Sequence, residues 1–217
     1  MILFLVALID ESTNCAFLHI GKAGGTAIKF ALKDYVNAGF YTISITRGHV
    51  ALTKFPKGEP FFFNLRNPIT RFTSAFYSRK LKPATWNQVE SELFARFRTP
   101  NELVEALCEK DPLAQRGMRG VGHLRPISLM FGGLEELKRR TQDVLMVSMQ
   151  ESLQTDFLIL REKLGLPQQC NLPTHPTNAH MCPEDVDRSL TERSVNFLTE
   201  YYRVDFELIE YCKTLNI

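Results

Sequence analysis

The chain has 217 residues, 44% of them hydrophobic, which is enough to bury a core without disulfide or metal staples, so a single domain over 1–217 is expected. A formal net charge of +2 removes any global reason to expect a nucleic-acid partner, and Trp86 with scattered tyrosines lacks the basic-aromatic pattern of a single-strand binding platform. Five cysteines, Cys15, Cys108, Cys170, Cys182 and Cys212, are odd in number and sparse, favouring reduced thiols and a cytoplasmic setting.

Met1 to Ile9 is apolar but too short to span a bilayer, lacks the basic start and cleavage site of a secretory signal, and is expected as a strand near 2–8. A second strand near 15–20 runs into Gly21-Lys22-Ala23-Gly24-Gly25-Thr26, and a helix is expected near 25–36. Such a turn suits an anion: glycines let the backbone approach, amides at the helix start point outward, and Lys22 adds a full charge. A Walker phosphate loop fails on order, because Ala16 stands where its first glycine belongs and Ala23 follows Gly21-Lys22. The dinucleotide fingerprint fails on glycine spacing. A strand near 41–45 then leads into Thr46-Arg47-Gly48-His49-Val50.

Residues 61–65 form a short, mostly apolar strand, placing Arg66 at its carboxyl end, where open α/β sheets bind ligands. Asn67 is a good N-cap and Pro68 a good first residue for a helix near 68–80. On it Ile69, Phe72 and Phe76 form the apolar stripe, with Thr70, Arg71, Ser74 and Ser78 on a polar one. A guanidinium fork with a hydroxyl suits a phosphate monoester; the alternative is an Arg66–carboxylate pair and a solvated Ser74. Helices are expected near 87–96, 100–109, 134–140, 151–164 and 184–215, with a strand near 144–148. Between them, Gln115 to Arg125 collects Arg116, Arg119, His123 and Arg125 among three glycines, and reads as a flexible basic loop for an anionic acceptor or for phosphates. Arg47, Lys54 and Arg71 extend the positive surface. Cys170 and Cys182 flank His175 and His180 without the spacing of a common zinc finger, so an ordered loop is expected over zinc or a disulfide. Strand-helix alternation over the first 80 residues indicates an α/β fold, a mostly parallel central sheet flanked by helices.

The segment His-Ile-x-Lys-x-Gly-Gly-Thr at 19–26 closely resembles the 5′-phosphosulfate loop of carbohydrate sulfotransferases, the group that includes heparan sulfate sulfotransferases and bacterial relatives. Tyr-Tyr-x-x-Asp-Phe-Glu-Leu, ending at Leu208, resembles the family's C-terminal helices. The resemblance implies a P-loop-NTPase-like sulfotransferase fold, the sulfuryl donor 3′-phosphoadenosine 5′-phosphosulfate, the product 3′,5′-bisphosphoadenosine, a hydroxyl acceptor expected to be a glycan, and no metal. It implies that Gly21, Lys22, Ala23, Gly24, Gly25, Thr26 and Ala27 hold the 5′-phosphosulfate, and that Arg66 and Ser74 hold the 3′-phosphate. Lys22 would stabilise the leaving phosphate oxygen, worth roughly several kcal/mol at such sites. Gly48-His49-Val50 resembles the segment bearing the base histidine of the heparan sulfate 2-O-sulfotransferase branch, so His49 is the expected base, with Glu59, Glu151 or His123 as substitutes. His19 is expected to be structural. Asn178 and His175 are candidates to close over the nucleotide, although their spacing departs from the family's His-x-Asn. Gly21 and Ala23 replace the proline and threonine common in relatives, which removes a hydroxyl and bears on donor affinity; Asn67 replaces an aspartate. Animal relatives are usually membrane-anchored in the Golgi, so this chain reads as a soluble, bacterial-type member or a trimmed catalytic domain. Alternative readings are a P-loop-like kinase needing Mg²⁺ and a nucleoside triphosphate, or a non-catalytic nucleotide-binding protein of the same fold.

Overall fold

A computed structural model describes residues 13–45, 49–175 and 185–215. The expected strand near 2–8 lies outside them, as do Arg47, Asn178, His180 and Cys182. Four strands, β1 (Thr13–Leu18), β2 (Tyr41–Ser44), β3 (Phe61–Leu65) and β4 (Val144–Met149), form a parallel sheet in the order β2-β1-β3-β4. The fold is therefore α/β, as expected. β1 and β3 are neighbours in register, Leu18 opposite Phe63, yet the chain leaves them in opposite lateral directions, to β2 and to β4. Their carboxyl ends thus flank a topological switch point, the place where α/β sheets open a crevice.

Strand alternation divides the core. Ala16, Leu18, Phe61 and Phe63 face one side, packed with α6 (Ser128–Phe131), α7 (Leu134–Arg139) and the last helix. Cys15, Phe17 and Phe62 face the other, against α1 (Gly25–Leu32) and α8 (Leu153–Lys163). Burial on both faces goes with the apolar runs Cys15–Leu18 and Phe61–Phe63. A third cluster joins Phe72 and Phe76 of α2 (Pro68–Lys80) to α3 (Gln88–Arg96), α4 (Pro100–Cys108) and α5 (Pro112–Gly120).

α2 has the expected bounds because the Asn67 side chain accepts from the Ile69 and Thr70 amides while Pro68 occupies the first position. α1 stops four residues short of expectation, since the Val36 carbonyl accepts from the Ile43 amide of β2 instead of continuing the helix. The expected helical segment 184–215 is two helices, α9 (Glu192–Tyr201), which starts at the Thr191 cap, and α10 (Arg203–Thr214), with the break at Tyr202. Tyr202 is buried there and donates to the Leu124 carbonyl at 2.5 Å.

The flexible basic loop expected at 115–125 is corrected. Its first half is α5, capped by Asp111 and started by Pro112, and a 3₁₀ turn at Gly122–Leu124 follows. Gly117 marks close packing here: a Cβ on it would stand 2.4 Å from Leu93 Cδ1 of α3. Among the described residues no helix is long and apolar enough to cross a membrane.

Candidate active site

The turn after β1 crosses into left-handed backbone twice, at Lys22 (φ 69°) and Gly24 (φ 89°). Lys22 adopts that conformation against its side chain's preference, a cost the surrounding structure must over-determine. Gly24 serves as N-cap without a side-chain bond, and no acidic residue sits in the first turn of α1. The first-turn amides of Gly25 and Thr26 therefore remain available beside the positive end of α1. The Ala27 amide does not: it donates to the Gly24 carbonyl at 3.0 Å, and Ala27 is buried. Ala23 likewise packs into the core. Gly25 is required by proximity, because a Cβ there would lie 2.3 Å from His19 Cδ2. Beneath the turn, the Asn64 side-chain amide is buried with neither polar atom hydrogen-bonded.

Two arginines hold the carbonyls of the turn. Arg71 Nε donates to the Gly21 carbonyl at 2.9 Å and its Nη1 to the Arg125 carbonyl at 3.1 Å. Arg66 Nη1 donates to the Lys22 carbonyl at 3.4 Å, and its Nε to Thr70 Oγ1 at 3.0 Å. Arg71 is only 4% exposed, and burial lowers its pKa, so it is a brace and not the surface cation expected from its stripe. Buried Tyr202 and Asp205 lie near it, and Asp205 accepts the Ile127 and Ser128 amides.

In front of the turn is a cleft of about 380 Å³. Gly21, Lys22, Gly24, Gly25 and Thr26 line it, together with Arg66 and Ser74, so the two predicted anion motifs share one opening. Missed by the sequence reading are Arg79, Lys82, Gln150 and Arg188, which line it as well, while among the described residues no aspartate or glutamate does. Ser74, Ser78 and Lys82 recur every fourth residue, so the polar stripe of α2 carried one turn further would have found Lys82. Arg79 is held by Glu90 through two hydrogen bonds, of 2.5 and 2.8 Å.

Three imidazoles close the other side of the cleft. His49 stacks on His19 at 4.5 Å between centroids and meets His123 edge-on at 5.8 Å. Phe17 stacks on the other face of His19 at 5.6 Å. His49 Nδ1 lies 3.2 Å from the His19 carbonyl, which can only accept, so Nδ1 carries the proton and the Nε2 of neutral His49 keeps its lone pair. His19 differs from the expected hydrogen-bonded structural residue: it lines the cleft and its Nδ1 is buried without a partner.

The other expected residues lie elsewhere. Arg116 pairs with Glu92 at 2.7 Å on the surface, Arg119 borders a separate hollow with Phe197 and Tyr201, and Arg125 presents its carbonyl to Arg71. Of that segment only His123 reaches the cleft. Lys54 is exposed on a 3₁₀ turn at Leu52–Lys54 and does not line the cleft. Glu151 accepts the Asn67 amide at 3.0 Å, and Glu59 precedes β3, at the sheet's opposite end. The Cys170 thiol is buried, 3.5 Å from the Ala31 carbonyl.

The chain matches the model of the sulfotransferase family over residues 7–212 and belongs to that family. Comparison with curated proteins and with solved structures gives no match.

Proposed function

We propose that this sulfotransferase moves a sulfuryl group from 3′-phosphoadenosine 5′-phosphosulfate to a carbohydrate hydroxyl by in-line displacement without a metal, the whole chain acting as one domain. The observation that supports this most is the shared cleft: the Gly24–Thr26 turn and the Arg66–Ser74 pair, the two expected anion motifs, line one opening that has no carboxylate among its described lining residues. A ligand with phosphates at both ends of a ribose fits such a pair, whereas a nucleoside triphosphate gathers its charge at one end. The Gly25 and Thr26 amides and the Thr26 hydroxyl hold the 5′-phosphate, and Arg66 with Ser74 holds the 3′-phosphate. The acceptor proton passes to His49 Nε2 as the acceptor oxygen bonds to sulfur. The sulfur–oxygen bond to the nucleotide breaks, and its electron pair stays on the phosphate oxygen beside Lys22. Arg79, Lys82 and Arg188 favour an anionic acceptor or further contacts to the nucleotide. Reduced thiols, four among the described residues, support the cytoplasm as the compartment.

Calorimetry with 3′,5′-bisphosphoadenosine and with Mg²⁺-ATP tests this reading. Binding of the bisphosphate is expected to be at least tenfold tighter, insensitive to EDTA, and weakened roughly 10- to 100-fold by Arg66→Ala, the range for a lost charge-assisted pair. Equal or tighter Mg²⁺-ATP binding would sink it in favour of a kinase.

A further inference from the structure

His19 and His123 share a geometry that His49 lacks. In both, Nδ1 is buried without a hydrogen-bond partner, while the ring lines the cleft. In both, the opposite edge faces the glycine turn: a Cβ built on Gly25 would lie 2.7 Å from His19 Nε2, and one built on Gly21 3.6 Å from His123 Nε2. A neutral imidazole carries a single ring proton, and an orphaned N–H is rarer in a protein interior than an orphaned acceptor. The proton therefore sits on Nε2 of each ring, aimed at the turn. His49, between them, has the opposite tautomer, with Nδ1–H fixed on the His19 carbonyl.

Both flanking rings are kept neutral. Burial first, then His49, Lys29, His123 and Lys22, hold His19 down to about 3. Burial first, then Lys22, His49, Arg71 and Arg79, hold His123 down to about 4. Neither can serve as a base that must gain a proton near neutral pH, yet each is a fixed N–H dipole in a site of cations and backbone amides.

We propose that His19 and His123 are catalytic hydrogen-bond donors to the peripheral oxygens of the transferred sulfuryl group, one on each side of His49, which alone receives the acceptor proton. The assignment rests on the sulfuryl-transfer reading above. During transfer the acceptor oxygen–sulfur bond forms, the sulfur–phosphate oxygen bond breaks, and the proton goes to His49; His19 and His123 neither gain nor lose one. Neutral donors suit that position. They meet the charge on the sulfuryl oxygens without protonating the acceptor, and without adding a second cation beside the base.

Long-range ¹H–¹⁵N spectra of the free protein at pH 7.5 read the tautomers directly. The Nε2–H form is expected for His19 and His123 and the Nδ1–H form for His49, and an Nδ1–H form in either flanking ring overturns the proposal. A titration supplies the functional arm: with 3′,5′-bisphosphoadenosine saturating its site, inorganic sulfate stands in for the sulfuryl group. His19→Leu and His123→Leu should each weaken sulfate on the order of tenfold and leave bisphosphate affinity within about twofold, while His19→Gln and His123→Gln, which keep an N–H near the Nε2 position, should recover most of the loss. Equal sulfate affinity in the Leu and Gln forms would overturn it. The tautomers are read in the unaltered protein, so a poorly folding variant leaves that arm intact. Failure of the unaltered protein to bind bisphosphoadenosine would instead remove the sulfuryl-transfer reading beneath it.

Discussion

A buried guanidinium survives only where its N–H groups are used, and Arg71 uses two of them to tie separate stretches of backbone together. One carbonyl belongs to Gly21 in the anion turn; the other belongs to Arg125, just after the 3₁₀ turn that carries His123. A single side chain thus sets the distance between the turn and one of its imidazoles. Arg71→Met keeps much of the volume and leaves both carbonyls without that donor. It is expected to cost about 3 kcal/mol in urea unfolding and to weaken 3′,5′-bisphosphoadenosine on the order of tenfold. A fall in stability with unchanged affinity would show that Arg71 supports the fold without positioning the turn. Residue-level legibility divides along this line. Arg66 and Ser74 could be placed from sequence because Asn67 and Pro68 fix where α2 starts, and the helix period then fixes which way Ser74 points. Arg71 could not, because its role depends on the end of a long side chain reaching backbone 50 and 54 residues away.

At the scale of elements, strands and capped helices were legible wherever local chemistry and burial agree. β3 and α2 fall on their expected bounds for that reason, with a mostly apolar, fully buried run in one and an Asn-Pro start in the other. α5 was not, although Asp111-Pro112 is the same kind of start, because Gly117, Gly120 and Gly122 read as flexibility. Their meaning is tertiary. Gly117 sits against Leu93, itself fully buried, so α5 can approach α3 only where a side chain is missing. Gly117→Ala should therefore destabilise, even though alanine is the better helix former by about 1 kcal/mol. Overpacking at a site with no room to yield is expected to outweigh that gain, giving a net loss of about 1–2 kcal/mol in chemical denaturation. Gly122, where an added Cβ meets nothing within 4 Å, is the control, and its alanine variant should lack that overpacking penalty. A stabilised Gly117→Ala would mean that α5 is free to shift away from α3.

For the whole molecule, the fold gathers basic groups from the turn after β1, the end of β3, α2, the 3₁₀ turn at Gly122–Leu124 and the segment before α9 at one switch point, although the chain carries only +2 overall. That gathering has a consequence for acid stability. His19 and His123 are held at about 3 and about 4 in the folded protein, below the 6.5 of a free imidazole. The unfolded chain thus takes up protons as pH falls through 6.5, while the folded protein takes them up only near 4 and 3. Their contribution is complete above about pH 7 and is withdrawn progressively as pH falls towards 4, at a limiting slope of about 1.4 kcal/mol per unit for each ring. Both rings reach the water of the cleft, so about half that value is the reasonable expectation, a loss of about 1 kcal/mol from each between pH 7 and 5. The combined His19→Gln and His123→Gln variant has no such groups to titrate, and its unfolding free energy should fall by about 2 kcal/mol less over the same interval. Parallel pH profiles for the two proteins would show that the rings are solvated and titrate in the folded state as they do in the unfolded chain. They would equally remove the reason for these two imidazoles to remain neutral beside Lys22 and Arg71.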